Sequence, residues 1–213
     1  MPTIAHTRAA LGFRVKSGYA TVVLLDGSTS SMRVVDRRTI DLCDPSVPDS
    51  RQPYHAGFGS ARGDMEQIAR LVAVVEQHTD RSVADAVREY RHMGYELDRA
   101  GAVVGSETNP ETIANPHIRA HASEGRLFRR VTEEALGRLG LACSIWIERT
   151  LYARAAGRLG CSEDRIRHVA AGLGNAVTGG WRADDKTAAV AAWLALESRQ
   201  AQDLGLKAQA PES

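Results

Sequence analysis

The sequence predicts an α/β domain in which a mixed β-sheet is covered by helices on both faces. The first third of the chain contains three strand-like segments joined by short turns, which is typical of an antiparallel meander. Beyond residue 64, segments with helical spacing of apolar residues alternate with short apolar segments that are typical of strands. With 213 residues, 43% of them hydrophobic, the chain is long enough to bury one good core.

The predicted meander occupies residues 11–42. The first strand covers residues 11–15, and the turn Lys16-Ser17-Gly18 leads into a second strand at residues 19–25, which is rich in Val, Thr and Leu. The turn Asp26-Gly27-Ser28 precedes the third strand, residues 32–42. Because both connections are short, consecutive strands should pair antiparallel.

A long segment without periodicity follows at residues 43–60. Three prolines and two glycines interrupt it, and a loop of this length in a domain is usually either functional or loosely held. It contains side chains that a binding loop could use, namely Arg51, Tyr54, His55 and Phe58. We favour the other interpretation, a solvated connector with an aromatic side chain packed on the surface.

Helices and strands alternate in the rest of the chain. Residues 64–77 and 82–93 have helical spacing and form either one long helix or two. A strand is predicted at 95–105, a helix at 115–139, and at 141–148 a strand whose apolar run indicates a central place in the sheet. The remaining predicted elements are helices at 150–159 and 162–173, a glycine-rich loop at 172–180 and a last helix at 184–198. The order is therefore β-β-β-α-β-α-β-α, with a single domain over residues 1–199 and a flexible tail at 200–213.

Composition excludes several classes of protein. The formal net charge of +1 gives no overall attraction to nucleic acid or membrane, so nucleic-acid binding would require a local basic patch. No apolar run is long enough to cross a bilayer, and the first eight residues lack a signal-peptide core. Cys43, Cys143 and Cys161 are far apart and odd in number, which predicts reduced thiols in a cytoplasmic protein. Neither a P-loop nor a G-x-S-x-G elbow occurs, so no organic cofactor is indicated.

Polar residues lie on the core-facing stripe of the helix at 115–139. At about 100° per residue, His117, His121 and Glu124 share one stripe with Phe128 and with further apolar residues. Those further members are Val131, Ala135 and Leu139. Buried polar groups need partners. Glu107 ends the preceding strand and could supply one, because ligands of α/β sheets bind at the carboxyl ends of strands.

This stripe permits three interpretations. His117 and His121, one helical turn apart, could hold a divalent metal together with Glu124 or Glu107. They could instead supply a general base with an orienting carboxylate. They could also be semi-buried histidines that are hydrogen-bonded to carboxylates for structural reasons. The zinc-protease pattern is absent, because no glutamate follows the first histidine.

Two groups of basic residues are expected in different places, one facing solvent and one in the crevice. Arg119, Arg126 and Arg130 lie opposite the histidine stripe and should face solvent. Arg14 and Lys16, at the end of the first strand and in its turn, could point into the same crevice as the histidines and bind a phosphate group.

The layout of residues 10–196 resembles the ribonuclease H-like superfamily, particularly its Holliday-junction-resolvase branch. Residues 11–18, Leu-Gly-Phe-Arg-Val-Lys-Ser-Gly, stand where that branch has a strand and tight turn. Residues 102–107, Ala-Val-Val-Gly-Ser-Glu, look like its fourth strand ending in an acid. Asp184-Asp185-Lys186-Thr187 looks like the start of its last acidic helix, although capping and dipole compensation also explain the two aspartates.

The resemblance implies two-metal phosphodiester chemistry by clustered carboxylates. Glu107 and Asp184 match acidic positions, whereas Arg14 stands where Asp is usual and Thr187 stands where a second acid is expected. A cation at this place would repel Mg²⁺. We therefore expect a crevice formed by Arg14, Lys16, Glu107, His117, His121, Glu124 and Asp184, with altered or lost nuclease chemistry. The alternative is a non-catalytic protein-interaction or scaffold module that keeps the fold. Substrate, oligomeric state and whether the protein is an enzyme stay open.

Overall fold

The computed structural model describes residues 7–57 and 60–203, which form a six-stranded sheet and five α-helices. The strands are β1 (Thr7–Lys16), β2 (Tyr19–Ser28), β3 (Ser31–Asp41), β4 (Tyr95–Glu96), β5 (Arg99–Val104) and β6 (Ala142–Ile147). The helices are α1 (Met65–His92), α2 (Pro116–Arg138), α3 (Leu151–Leu159), α4 (Glu163–Gly172) and α5 (Ala183–Asp203). Short 3₁₀ turns lie at Pro48–Arg51, Pro110–Thr112, Glu148–Thr150 and Leu173–Ala176.

The sheet confirms the predicted mixture of antiparallel and parallel strands. Its order is β3-β2-β1-β5-β6, and the short strand β4 pairs with the beginning of β1. Strands β1, β2 and β3 are antiparallel, and a two-residue turn at Ser17-Gly18, where Gly18 has φ of 86°, joins the first two. Strands β5 and β6 follow in parallel with β1 because α1 and α2 carry the chain back to the opposite edge.

Both faces of the sheet are covered, as predicted. Alternate residues of β1 face opposite layers: Leu11, Phe13 and Val15 pack with α1 and α2, and Ala10 packs with the helices α3, α4 and α5. Arg14 has the same parity as Ala10, so it lies on the α5 side of the sheet. Among the helices of the described ranges, none combines the length and apolarity that a membrane crossing requires.

Three details differ from the sequence-based expectations or complete them. Residues 65–92 form one helix, since no glycine or proline interrupts them and Asp64 caps the first turn by accepting the amides of Glu66 and Gln67. Strand β6 lies at the edge of the sheet, so its predicted central place was wrong; its apolar side chains are covered by helices on the two faces and not by a further strand. Helix α5 continues to Asp203, and the rest of the predicted tail, residues 204–213, lies outside the described residues.

Helix α5 contacts the backbone of the sheet directly. A Cβ atom added to Gly12 of β1 would lie 1.8 Å from the carbonyl oxygen of Ala188, and one added to Gly101 of β5 would lie 2.6 Å from that of Ala191. These glycines and the alanines of α5 therefore allow the helix to approach without intervening side chains. Since Ala188 lies over Gly12, the beginning of α5 lies over the carboxyl end of β1 and brings Asp184 there.

We predict that Gly12→Ala lowers the free energy of unfolding by about 3 kcal/mol or more, because the new methyl group meets backbone atoms that cannot rotate away. Gly137→Ala is the matched control: Gly137 lies in α2 with open space around it, and the change should raise stability by about 0.5–1 kcal/mol. Urea unfolding measures both. Equal stability of the Gly12 variant and the wild-type protein would contradict the direct contact.

Candidate functional site

A crevice lies at the carboxyl ends of β1 and β5, beside the first half of α2. It contains a cavity of about 210 Å³ lined by Arg14, Lys16 and Ser17 from β1 and its turn, by Ser106 after β5, and by His121 of α2. This is the edge of the sheet at which ligands of α/β proteins bind. The structure thus brings together three of the residues that the sequence analysis assigned to one crevice.

Arg14 is buried at the centre of this edge, with only 3% of its side chain exposed. Its Nη1 donates to the carbonyl oxygens of Val15 and Val103, at 2.9 and 3.3 Å. Its Nη2 donates to the carboxylate of Glu148, and its Nε lies 3.7 Å from Oδ1 of Asp184. The guanidinium is therefore surrounded by oxygen atoms and faces two carboxylates.

Asp184 connects Arg14 with the second cation of the crevice. The Nζ atom of Lys16 lies 3.4 Å from the same Asp184 oxygen, and the side chain of Lys16 is 35% exposed. Asp185 has a different role: it is buried, accepts the Arg182 amide at 2.6 Å and lies near Arg37, which agrees with the predicted capping. Only Asp184 of this pair reaches the crevice ion pairs.

The sequence analysis gave no role to Glu148. This residue directly follows β6, and β6 is parallel to β5, so its carboxylate lies at the same edge of the sheet as Arg14. An acid at the end of a predicted parallel strand was a usable signal. The family pattern points instead to Glu107, which follows the end of β5 by three residues.

Glu107 does not join the histidines. It is half exposed and forms an ion pair with Arg129, whose Nη1 lies 2.5 Å from Oε1. Strand β5 ends at Val104, so Glu107 is three residues past the strand and lies in a neighbouring cavity, lined also by Asn109 and Arg126. The expected hydrogen bond between Glu107 and the histidines was therefore wrong.

A cluster of three histidines lies on the α2 side of the crevice. His117 and His121 of α2 are joined by His55, and the three ring centroids are 4.3–5.2 Å apart. The Nε2 atoms of His117 and His121 are 3.2 Å apart. His55 is buried, and its Nδ1 lies 2.6 Å from Oε1 of Glu124, which is fully buried. His117, His121 and Glu124 thus meet as the helix wheel predicted.

The loop that carries His55 is not the solvated connector that we favoured. It contains a 3₁₀ turn at Pro48–Arg51, and a backbone pairing joins His55 with Ala61, just after the loop. Arg62 donates to the carbonyl oxygens of Pro53 and His55, at 3.1 and 2.7 Å, and so fixes the backbone at the histidine. His55 was missed as a site residue because nothing in its local pattern indicates burial. Phe58, one of the four side chains that a binding loop could use, lies outside the described residues.

Burial dominates the electrostatics of this cluster. It raises the pKa of Glu124 above its ordinary value, although the hydrogen bond with His55 opposes the increase. Burial, followed by the neighbouring His55 and His117, lowers the pKa of His121. Three buried polar atoms of the cluster have no hydrogen-bond partner within the described residues: His55 Nε2, His117 Nδ1 and Glu124 Oε2.

Two of the three arginines on the other faces of α2, Arg126 and Arg130, form ion pairs at the surface. Arg119 and Arg126 are exposed as predicted, and Arg126 lies near Glu111. Arg130 binds Glu134 on its own helix, and Glu76 of α1 at 2.6 Å. These arginines line a separate cavity of about 470 Å³ with Tyr54.

Comparison with known proteins identifies the fold. No protein-family model matches the chain, and no curated protein matches it. Two solved structures of Thermus thermophilus RuvC are similar. The one in complex with a Holliday junction substrate has 8% identity and a TM-score of 0.53, over 93% of this chain and 97% of that one. The other has 10% identity and the same TM-score of 0.53, over 90% and 96% of the two chains.

The chain has a ribonuclease H-like fold. The yeast mitochondrial Holliday junction resolvase Ydc2 is also similar, with 11% identity and a TM-score of 0.46 over 95% of this chain and 87% of that one. The two RuvC structures confirm, for the fold, the resemblance inferred from the layout of the sequence. At these identities the ribonuclease H-like fold is what is shared, and the chemistry of the crevice has to be judged from its own contacts.

We predict that Glu148→Gln lowers the free energy of unfolding by about 1–2 kcal/mol, because it removes a charged partner from the buried guanidinium of Arg14. Glu163→Gln is the control, since Glu163 is equally exposed at 47% but pairs with Arg167, which is 55% exposed. That change should alter stability by less than about 0.5 kcal/mol. Chemical denaturation measures the free energy of unfolding of the two variants. An equal change in both would contradict a structural role for the ion pair between Arg14 and Glu148.

Proposed function

We propose that this ribonuclease H-like chain binds the phosphodiester backbone of nucleic acid at the Arg14–Lys16 crevice, without cleaving it through a Mg²⁺–carboxylate centre. The observation that carries the proposal is the position of Arg14. Its buried guanidinium lies between Glu148 and Asp184, where the family resemblance implies a metal-binding carboxylate.

The crevice does not fit the paired Mg²⁺ ions that the resemblance implies. Mg²⁺ requires a nearly octahedral set of oxygen ligands and is held by carboxylates. Here the carboxylates of Glu148 and Asp184 already face a fixed guanidinium, and Thr187 donates its hydroxyl to the Ala183 carbonyl at 2.8 Å. An ion placed between these acids would lie beside a buried cation, and the mutual repulsion opposes binding.

Lys16 is the group best suited to contact a phosphate. Its side chain is partly exposed at the cavity wall. Its ammonium lies 3.4 Å from Asp184, which is a loose ion pair, so a phosphate oxygen can compete with Asp184 for the ammonium. A cavity of about 210 Å³ exceeds several water volumes of roughly 30 Å³ each, so a phosphate group can enter. Arg14 would then hold Glu148 and Asp184 in place, and its buried positive charge would attract the phosphate at the cavity wall. One of the similar structures holds a Holliday junction substrate, which supports nucleic acid as the ligand.

A non-catalytic protein-interaction module is the alternative. Such a module would be expected to expose a contiguous apolar patch. Within the described residues, the large exposed apolar side chains are Met65, Met93 and Ile118. Met65 begins α1 and Met93 follows its last residue, so at 1.5 Å per residue they lie roughly 40 Å apart. This distribution favours the nucleic-acid proposal.

The purified chain should show no Mg²⁺-dependent cleavage of branched DNA or of an RNA–DNA hybrid. The reason is that two-metal cleavage requires several carboxylates around shared ions, and Arg14 occupies their centre. Labelled substrates incubated with Mg²⁺ and resolved on denaturing gels provide the measurement, with Asp184→Ala as the control. Robust cleavage that this substitution abolishes would overturn the prediction.

Fluorescence anisotropy with labelled junction, duplex and single-stranded DNA should reveal weak binding that decreases with salt. Lys16→Gln should weaken it for all sequences and reduce the slope of log K against log salt by about 1, because one phosphate contact is lost. Arg88→Gln removes an equally positive side chain that lies on α1 in an exposed pair with Asp85, and it should have no effect. No binding at low salt, or equal behaviour of the two variants, would contradict the proposal and favour the scaffold alternative.

A further inference from the structure

The histidine cluster of His55, His117 and His121 has no part in the proposed phosphate contact. Each histidine offers one ring nitrogen, and the three ligand atoms lie within 4.8 Å of one another. Exposure varies across the cluster: His55 is buried, His117 is half-buried and His121 is 53% exposed. The cluster is thus anchored inside the protein and open on one side.

The spacing of the nitrogens suits a tetrahedral metal ion. Two nitrogens that are each about 2.0–2.1 Å from a tetrahedral centre lie about 3.3 Å from each other. The Nε2 atoms of His117 and His121 are 3.2 Å apart. Their separation of four residues on α2 places both rings on one side of the helix, one turn apart. The third nitrogen, from His55, lies within 4.8 Å of these two and would have to move closer to complete the same triangle.

His55 provides the second, independent indication of a ligand. Its Nδ1 lies 2.6 Å from the buried carboxyl group of Glu124. With Glu124 ionised, Nδ1 carries the proton and donates it to the carboxylate, and the lone pair is then on Nε2. That Nε2 is buried and has no hydrogen-bond partner in the described part of the chain. A carboxylate behind one nitrogen and an unsatisfied lone pair on the other is the arrangement in which proteins orient a metal-binding histidine.

We propose that His55, His117 and His121 bind one Zn²⁺ ion, that Glu124 orients His55 from behind, and that the fourth coordination position opens toward the Arg14–Lys16 crevice. Three neutral imidazoles favour zinc over Mg²⁺ or Ca²⁺, which prefer oxygen ligands. Three protein ligands with one open position are typical of zinc sites that accept water or an anion. His121 lines the crevice cavity, so an anion that contacts Lys16 could also reach the ion. The proposal does not depend on nucleic-acid binding.

The test uses the full chain without an affinity tag, stripped of metal by a chelator. Zinc titrated in competition with a chromophoric chelator should bind at one equivalent per chain with a dissociation constant below about 1 μM. His121→Ala should weaken binding at least about 100-fold, and Glu124→Gln about 10- to 100-fold. His168→Ala removes an exposed histidine of α4 that lies outside the cluster and should change nothing. Circular dichroism checks folding, and His121→Ala is the safer variant because that side chain is half exposed.

X-ray absorption at the zinc edge identifies the ligands directly. The expected spectrum has a nitrogen and oxygen shell at about 2.0–2.1 Å and no sulfur at about 2.3 Å. Binding well below one equivalent, unchanged affinity of His121→Ala, or a sulfur shell from the free cysteines would overturn the site. Zinc binding by a chain that binds no DNA would support this site and contradict the proposed function, so the two failures are distinguishable.

Discussion

The contact of helix α5 with the sheet backbone determines what the crevice can contain. At Gly12 and Gly101 the backbone of the helix packs closely on the strands, with no room for even a methyl group on either glycine. This contact fixes the first turn of α5 over the carboxyl end of β1 and places Asp184 within ion-pair distance of Arg14 and Lys16. The positions of the crevice charges follow from close packing of small residues that do not themselves line the cavity.

Arg14 imposes the second constraint, because a buried cation needs oxygen atoms around it. The effective cost of burying an unpaired charge is several kcal/mol. Here two carbonyl oxygens and two carboxylates meet the guanidinium. The same two acids cannot also provide a free, negatively charged metal site. The same position on this fold can therefore hold either a metal-binding group of acids or a buried arginine, but not both. This chain has the buried arginine.

The features that depend on the periodicity of apolar residues could be predicted from the sequence. Alternation in the meander, helical spacing after residue 64 and short turns were enough for the order of elements along the chain and for the mixture of antiparallel and parallel strands. They did not place β6 correctly, because it was expected at the centre of the sheet and lies at its edge. The helix wheel of α2 correctly brought His117, His121 and Glu124 together. Periodicity cannot indicate what an aperiodic loop does, and His55 lies 62 positions before His117 with no pattern around it. Glu107 and Glu148 show a related limit: both follow parallel strands, and only the length of the segment after each strand decides which acid reaches the crevice.

Arg62 ties the loop that carries His55 at three points, the carboxylate of Asp49 and the carbonyl oxygens of Pro53 and His55. A single side chain therefore holds all three points, and an opening that breaks the contacts of Arg62 releases them together. With the loop in place the cluster contains all three histidines, and such an opening would remove His55 from it. The rate at which an ion enters or leaves would report the opening of a loop that is anchored by an arginine outside the ligand set.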